Sequence, residues 1–188
     1  MSDLSSTTAI FLAAGMSRRF GANKLLTGLA GQPLALHAAR TLRRLSCAKH
    51  IAVCRESDGG VARLLATEGY EIAVNAVPER GISSSILTGL AAAGDTSAIL
   101  VCLADMPFVT EQHLLKVVEA LGPAGIVSSS AGHDLVRCPP AAFSGRYFSE
   151  LRSLEGDLGA RKLLSAGEVV FAKPSELADI DVPSDINR

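Results

Sequence analysis

The densest chemistry in this chain lies between Ala9 and Lys24, AIFLAAGMSRRFGANK. An apolar run from Ala9 to Ala14 stops at Gly15, with Ser17, Arg18, Arg19, Gly21 and Lys24 crowded behind it. Glycines let the backbone bend and turn its N–H groups toward an anion, a serine can cap the following turn, and the cations lie within reach of one place. This arrangement suits phosphates; the plainer alternative is a strand-to-helix turn followed by a solvated basic face. A second candidate is Asp105, which follows the apolar run Ala98 to Leu103 in the sequence ADMP. A carboxylate just past the C-terminal end of a buried parallel strand is where open sheets hold metals or ligands, although such a residue can also simply cap its loop. A third is Ser83 to Ser85, reached through a loop from Asn75 and followed by the apolar Ile86, Leu87 and Leu90. Three hydroxyls exceed what capping requires, so one serves as the N-cap and the others face a ligand, or all three are structural. Together these parts suit transfer from a nucleoside triphosphate, in which positioning and charge neutralisation carry most of the acceleration. Asp105 would hold Mg²⁺, with Mn²⁺ as a substitute, while Arg18 and Lys24 balance the triphosphate and pyrophosphate. The loop matches neither GxxxxGK[ST] nor GxGxxG, which counts against a P-loop kinase and a dinucleotide-binding module.

The elements that must position these residues alternate. Ala9 to Ala14 predicts a strand; Pro33 opens a helix with Leu34, Ala38, Leu42 and Leu45 on one face and Arg40, Arg43 and Arg44 on the solvated side. Ile51 to Cys54 predicts a strand, Val61 to Thr67 a helix stopped by Gly69, and Tyr70 to Val74 a third strand. Ala98 to Leu103 is the expected central strand, Thr110 starts a helix running to Leu121, and Ile126 to Ser129 is a further strand. Ser130 to Pro140 reads as a loop or edge hairpin with a surface histidine at His133, Phe143 to Leu154 as a helix, and Val169 to Ala172 as a short strand. Asp157 is placed to cap a short helix, and Asp179, Asp181 and Asp185 surround Pro183 in the tail. Strand and helix in alternation predict an α/β fold with a mostly parallel sheet covered on both faces.

Composition narrows the class. The 188 residues are 48% hydrophobic and 20% charged with a net charge of −1, which predicts one domain over residues 1–188, residues 1–8 forming a loose N-terminus. That balance argues against a nucleic-acid or membrane-surface partner, and nothing reads as a signal peptide or a membrane span. Cys47, Cys54, Cys102 and Cys138 show no zinc-ligand spacing and read as reduced thiols of a cytoplasmic protein.

Six segments in order, LAAGMSRRFGANK (Leu12 to Lys24), GISSSILTGL, LADMP, PPAAF, GDLGAR and DIDVP, resemble the molybdopterin guanylyl- and cytidylyltransferases, the MobA-like NTP transferases, and above all the molybdenum cofactor cytidylyltransferase branch. The resemblance implies a three-layer Rossmann-like nucleotidyltransferase (GT-A-like) fold. It implies transfer of CMP from CTP to the phosphate of the molybdopterin cofactor with release of pyrophosphate, and a molybdoenzyme as eventual recipient. In that reading Leu12, Ala13, Ala14, Gly15, Ser17 and Arg18 hold the nucleotide, Lys24 the triphosphate, and Asn75 with Ser83, Ser84 and Ser85 lie near base and ribose. Arg137, Pro139, Pro140, Asp157 and Arg161 face the cofactor substrate. Asp105 holds the metal, with a second ligand among Asp157, Asp179 and Asp181, Asp179 ranked first. Ala14 stands where the guanylyl enzymes usually carry glycine, which implies a pocket narrowed toward a pyrimidine. Val182 departs from the commoner DIDTP. A GTP-dependent relative, a transferase for another phosphorylated acceptor and a non-catalytic cofactor carrier are the competing readings.

Overall fold

The computed structural model describes residues 4–15, 23–122, 125–132, 135–154, 162–182 and 184–185. The chain runs β1 (Thr7–Leu12), a small hairpin of β2 (Gly28–Leu29) and β3 (Gln32–Pro33), α1 (Leu34–Arg43), β4 (Lys49–Cys54), α2 (Gly60–Thr67) and β5 (Glu71–Val74). It continues through α3 (Ile82–Ala93), β6 (Ala98–Leu103), α4 (Glu111–Glu119), β7 (Ile126–Ser130), β8 (Cys138–Ser144), α5 (Phe148–Arg152) and β9 (Glu168–Phe171). Seven strands form one sheet in the order β5-β4-β1-β6-β8-β7-β9. Only β8 is antiparallel to its neighbours.

Continuous apolar runs mark strands buried on both faces, and β1 shows why. Ala9 and Phe11 point into a layer completed by Leu34, Leu42, Leu65 and Leu114 from α1, α2 and α4. Ile10 and Leu12 point the other way, against Ile86 and Leu90 of α3 and Leu151 of α5. From β1 the chain moves outward to β4 and β5, and α3 then carries it back to β6 on the opposite side of β1. The order therefore reverses between β1 and β6, and the crevice beyond their C-terminal ends is where such sheets bind ligands. Ala104 N–H donates to the Leu12 carbonyl at 3.1 Å and Ala13 N–H to that of Val53 at 2.8 Å, so both strand exits are fixed.

Four expectations are corrected. Residues 1–8, expected as a loose N-terminus, include Thr7 and Thr8, which open β1 and are buried. Residues 138–140, read as loop or edge hairpin, open β8, an internal strand between β6 and β7. Proline is tolerated there because β6 pairs only from Ala141 to Ser144, while β7 meets β8 across a register shift between Ser128 and Ser129. The Pro139–Pro140 peptide bond is cis. The helix expected over Phe143 to Leu154 begins later, because Phe143 completes β8, and a 3₁₀ turn, Gly145–Tyr147, precedes α5. None of the three serines caps α3: Gly81, at φ 87°, takes the N-cap position, and Ser83 to Ser85 lie buried inside the first turn. At α4 the expected cap holds, Thr110 accepting from His113 N–H at 3.2 Å.

Two buried histidines give this packing a pH dependence. His50 donates from Nε2 to the Leu42 carbonyl at 3.1 Å and accepts at Nδ1 from Arg43 at 2.7 Å. Its pKa is lowered by burial and by Arg43, against smaller upward pulls from backbone carbonyls. His113 is lowered by burial, with Glu176 opposing and Lys116 reinforcing the shift. Both groups titrate near 6.5 when unfolded, so above that pH neither state binds the proton and nothing is lost. Below it the unfolded chain takes up protons first, and stability falls as pH drops. Urea midpoints are expected to decline from pH 7.5 to 5.5, and a His50→Asn/His113→Asn variant is expected to flatten that slope; an unchanged slope would refute the assignment.

Candidate active site

The crevice is organised around one ammonium group. Lys24 heads a 3₁₀ turn, Lys24–Leu26, whose preceding Asn23 accepts the Leu25 N–H in its side chain at 3.3 Å. From there Lys24 Nζ donates to Asp105 Oδ2 at 2.8 Å, to the Ile180 carbonyl at 2.9 Å and to Asp181 Oδ1 at 3.2 Å. The Lys24 side chain is 9% exposed, against 26% for Asp105 and 49% for Asp181, so the pair lies at the floor of the crevice. Burial pulls the Lys24 pKa down, yet Asp105 and Asp181 outweigh it and leave the ammonium more firmly protonated than usual. Asp179 moves the other way: burial, then the like charge of Asp181 and, more weakly, Asp105 raise its pKa, with Lys24 only partly compensating. Three carboxylates thus share one region with a single described cation among them. Among the described residues no three such side chains are already arranged as a metal cluster. The oxygen-only donor set nevertheless fits a hard divalent ion, which needs one or two carboxylates plus water and phosphate oxygens.

The residues expected on the nucleotide side form a second group. Leu12, Ala13 and Ala14 are buried at the exit of β1, and Gly15 is exposed beyond them. Buried Asn75 donates from Nδ2 to Ser84 Oγ at 2.9 Å and Ser85 Oγ at 3.0 Å, and its Oδ1 accepts Val77 N–H at 3.0 Å. Ser84 Oγ lies 2.8 Å from the Gly81 carbonyl, to which it donates. Asn75 therefore clamps the loop 75–81 onto the first turn of α3, a structural duty for two of the serines. Ser83 and Ser84 also line a ≈600 Å³ cleft with Arg80 and Thr88. Asn75→Ala, which leaves the Val77 N–H without its partner, is expected to cost about 1–2 kcal/mol in chemical denaturation; a change below ~0.5 kcal/mol would show that the clamp is dispensable.

On the α3 and α5 side lies a ≈690 Å³ cavity, walled by Ile86, Val101, Phe143 and Leu151 and rimmed by Arg137, Pro139 and Asp179. Arg137 reaches the cavity but spends Nη1 on the carbonyls of Leu164 and Gly167. The Pro140 carbonyl is turned to Ser129, which donates to it at 2.7 Å and accepts from His113 Nε2 at 2.7 Å. Ser17, Arg18, Asp157 and Arg161 lie outside the described residues. The structure thus brings Lys24, Asp105 and the tail acids together and gathers Asn75 with Ser84 and Ser85, while Arg137 and Pro139 rim the adjoining cavity that Asp179 also borders. Sequence reasoning missed the Ile180 carbonyl, because a backbone acceptor leaves no mark in residue type. No described helix is long and apolar enough to cross a membrane.

The model of the MobA-like NTP transferase domain family matches residues 9–170. The purine catabolism protein PucB of Bacillus subtilis (strain 168) is 32% identical over 192 residues, covering 94% of this chain and 92% of that protein. The nicotine blue oxidoreductase of Paenarthrobacter nicotinovorans is 31% identical, covering 86% and 83%. A probable molybdenum cofactor guanylyltransferase of Pyrococcus horikoshii is also 31% identical, over 59% of this chain and 54% of that protein. Among solved structures, Rv0371C of Mycobacterium tuberculosis H37Rv in complex with manganese superposes with a TM-score of 0.78 at 24% identity, covering 97% of each chain, which shows a shared fold. With the family model spanning nearly the whole sheet and both strand exits that frame the crevice, the chain belongs to the MobA-like NTP transferase domain family and is a nucleotidyltransferase.

Proposed function

We propose that this nucleotidyltransferase moves CMP from CTP to the phosphate of the molybdopterin cofactor and releases pyrophosphate. The observation that carries the reading is the meeting of Lys24 and Asp105 at the reversal of strand order, beside a largely apolar cavity that shares Asp179 with the same acid cluster. In this reading Ala13 to Arg18 hold the nucleotide and its phosphates, Lys24 holds the triphosphate, Asn75 and Ser83 to Ser85 shape the base and ribose side, and the cavity rimmed by Arg137 and Pro139 receives the acceptor. Asp157 and Arg161 complete the acceptor side. The acceptor phosphate attacks the α-phosphorus in line: a new P–O bond forms as the bond to pyrophosphate breaks, and Arg18 and Lys24 balance the charge that leaves. Asp105, with Asp179 as second ligand, would hold Mg²⁺, which supplies neutralisation of the phosphate oxygens when bound.

Base choice is the finer part. Ala14 is 2% exposed in the layer shared with Ile86 at the start of α3, so its methyl takes space that a glycine would leave. The test is pyrophosphate release with Mg²⁺ and molybdopterin, from CTP and from GTP. CTP is expected to be preferred by at least about tenfold, the scale on which small pocket volumes discriminate, and Ala14→Gly is expected to narrow the gap. Faster release from GTP would favour the activity named in the Pyrococcus horikoshii relative. Tight molybdopterin binding without release from either nucleotide would make the protein a carrier.

A further inference from the structure

Val136, in the connection from β7 to β8, is 72% exposed, more than any other large apolar side chain among the described residues, and Leu135 beside it is 53% exposed. Leu135 also holds φ at 49°, in the left-handed region that an L side chain enters only at a steric cost. The next residue is fixed, since Arg137 Nη1 donates to the carbonyls of Leu164 and Gly167. Both β6 and β7 pair antiparallel with β8, so this connection emerges at the same end of the sheet as Asp105. There Leu135 and Val136 line the ≈690 Å³ cavity, whose size suits a small molecule. They are exposed to solvent and part of the lining at once, which puts them at its mouth. Deeper in, the walls are apolar side chains of α3, β6, β8 and α5, and Arg137, Ser165 and Asp179 are the charged or hydroxyl-bearing residues of the lining.

We propose that Leu135 and Val136 determine which acceptor the enzyme takes: they select a phosphate carried on a broad apolar ring face and reject one carried on a polyol, sugar phosphates included. This rests on the reading of the cavity as the acceptor site. Asp179 belongs both to the cavity and to the acid cluster, so an acceptor seated inside can present its phosphate to the centre while its body lies against the two side chains. A ring that covers them removes exposed apolar surface from water, and affinity gains accordingly. A sugar in the same place would give up water from its hydroxyls to mostly apolar walls that leave them without partners. The fused rings of molybdopterin offer the face that the mouth requires.

The dye 8-anilinonaphthalene-1-sulfonate, an anion on a flat apolar body, reports on this mouth by its fluorescence, and competition against it measures other ligands of the full chain. Wild type is expected to bind the dye, to release it to molybdopterin, and to keep it in an equal concentration of glucose 1-phosphate. Leu135→Ser/Val136→Ser is expected to bind dye and molybdopterin at least about tenfold more weakly, the scale of lost apolar contacts in a pocket, with CTP affinity within about twofold of wild type. Leu135→Met/Val136→Ile keeps the mouth apolar and is expected to stay within about threefold of wild type for all three ligands. Unchanged dye and molybdopterin affinity in the serine variant, an equal loss in the apolar one, or displacement by glucose 1-phosphate as effective as by molybdopterin would each overturn the proposal. Dye binding that weakens in the serine variant but that molybdopterin cannot displace would support the apolar mouth and sink molybdopterin as the acceptor.

Discussion

Replacing Asp105 with asparagine is expected to reduce pyrophosphate release by between about a hundredfold and ten-thousandfold. The substitution preserves shape and removes one charge at the point where β6 opens into the crevice. Charge stabilisation by a metal and its ligands is worth several kcal/mol in a transition state, and each 1.36 kcal/mol is a factor of ten. Lys24 keeps Asp181 and the Ile180 carbonyl in the variant, so the floor of the crevice retains two of its three ties. Steady-state release should therefore collapse while the far-UV circular dichroism spectrum stays native. A variant retaining more than about a tenth of wild-type turnover would remove Asp105 from the chemistry.

The largest effect on stability is expected at Gly89, which shows no chemistry at all. Helix α3 crosses β1 so closely there that a Cβ would overlap Ile10 Cγ2 and lie 3.2 Å from Val53 Cγ2. Ile10 and Val53 are both fully buried, and as β-branched residues they have few rotamers into which to retreat. Gly89→Val adds volume to that contact and is expected to cost about 3 kcal/mol. For a chain of this size that corresponds to a fall of roughly 6–12 °C in thermal midpoint. A fall of less than ~2 °C would mean that α3 can slide away from the sheet, and with it the serine-lined turn at its N-terminus. Glycine's poor helix propensity is outweighed here by the closeness it permits.

Much of the fold could be read from period and punctuation. The run Ala98 to Leu103 has the same limits in sequence and structure, and Pro33, Thr110 and Gly69 mark the ends of helices α1, α4 and α2 as expected. Misreadings came where tertiary pairing overrides local chemistry. Two prolines argued for a loop or an edge hairpin ending at Pro140, but the ladders place both in an internal strand where β6 makes no demand on them. Arg43, read as solvated, is exposed as expected, and the sequence carries no sign that its guanidinium also donates to buried His50. In the site, Asp105 was legible because a carboxylate follows an unbroken apolar run. Its tie to the tail was not, since nothing in the residue types of Ile180 and Asp181 indicates which strand exit they meet.

The bond from Lys24 to Ile180 joins residues 156 positions apart. Contacts of such separation form late, since the intervening loops must be closed first. During synthesis the helices on both faces of the sheet and Asp105 can be assembled while the tail is still inside the ribosome, but Lys24 has only one of its three acceptors until Ile180 and Asp181 emerge. The centre is thus completed last: a nascent or truncated chain can hold most of the sheet and its crevice while Lys24 still lacks its acceptors from the tail.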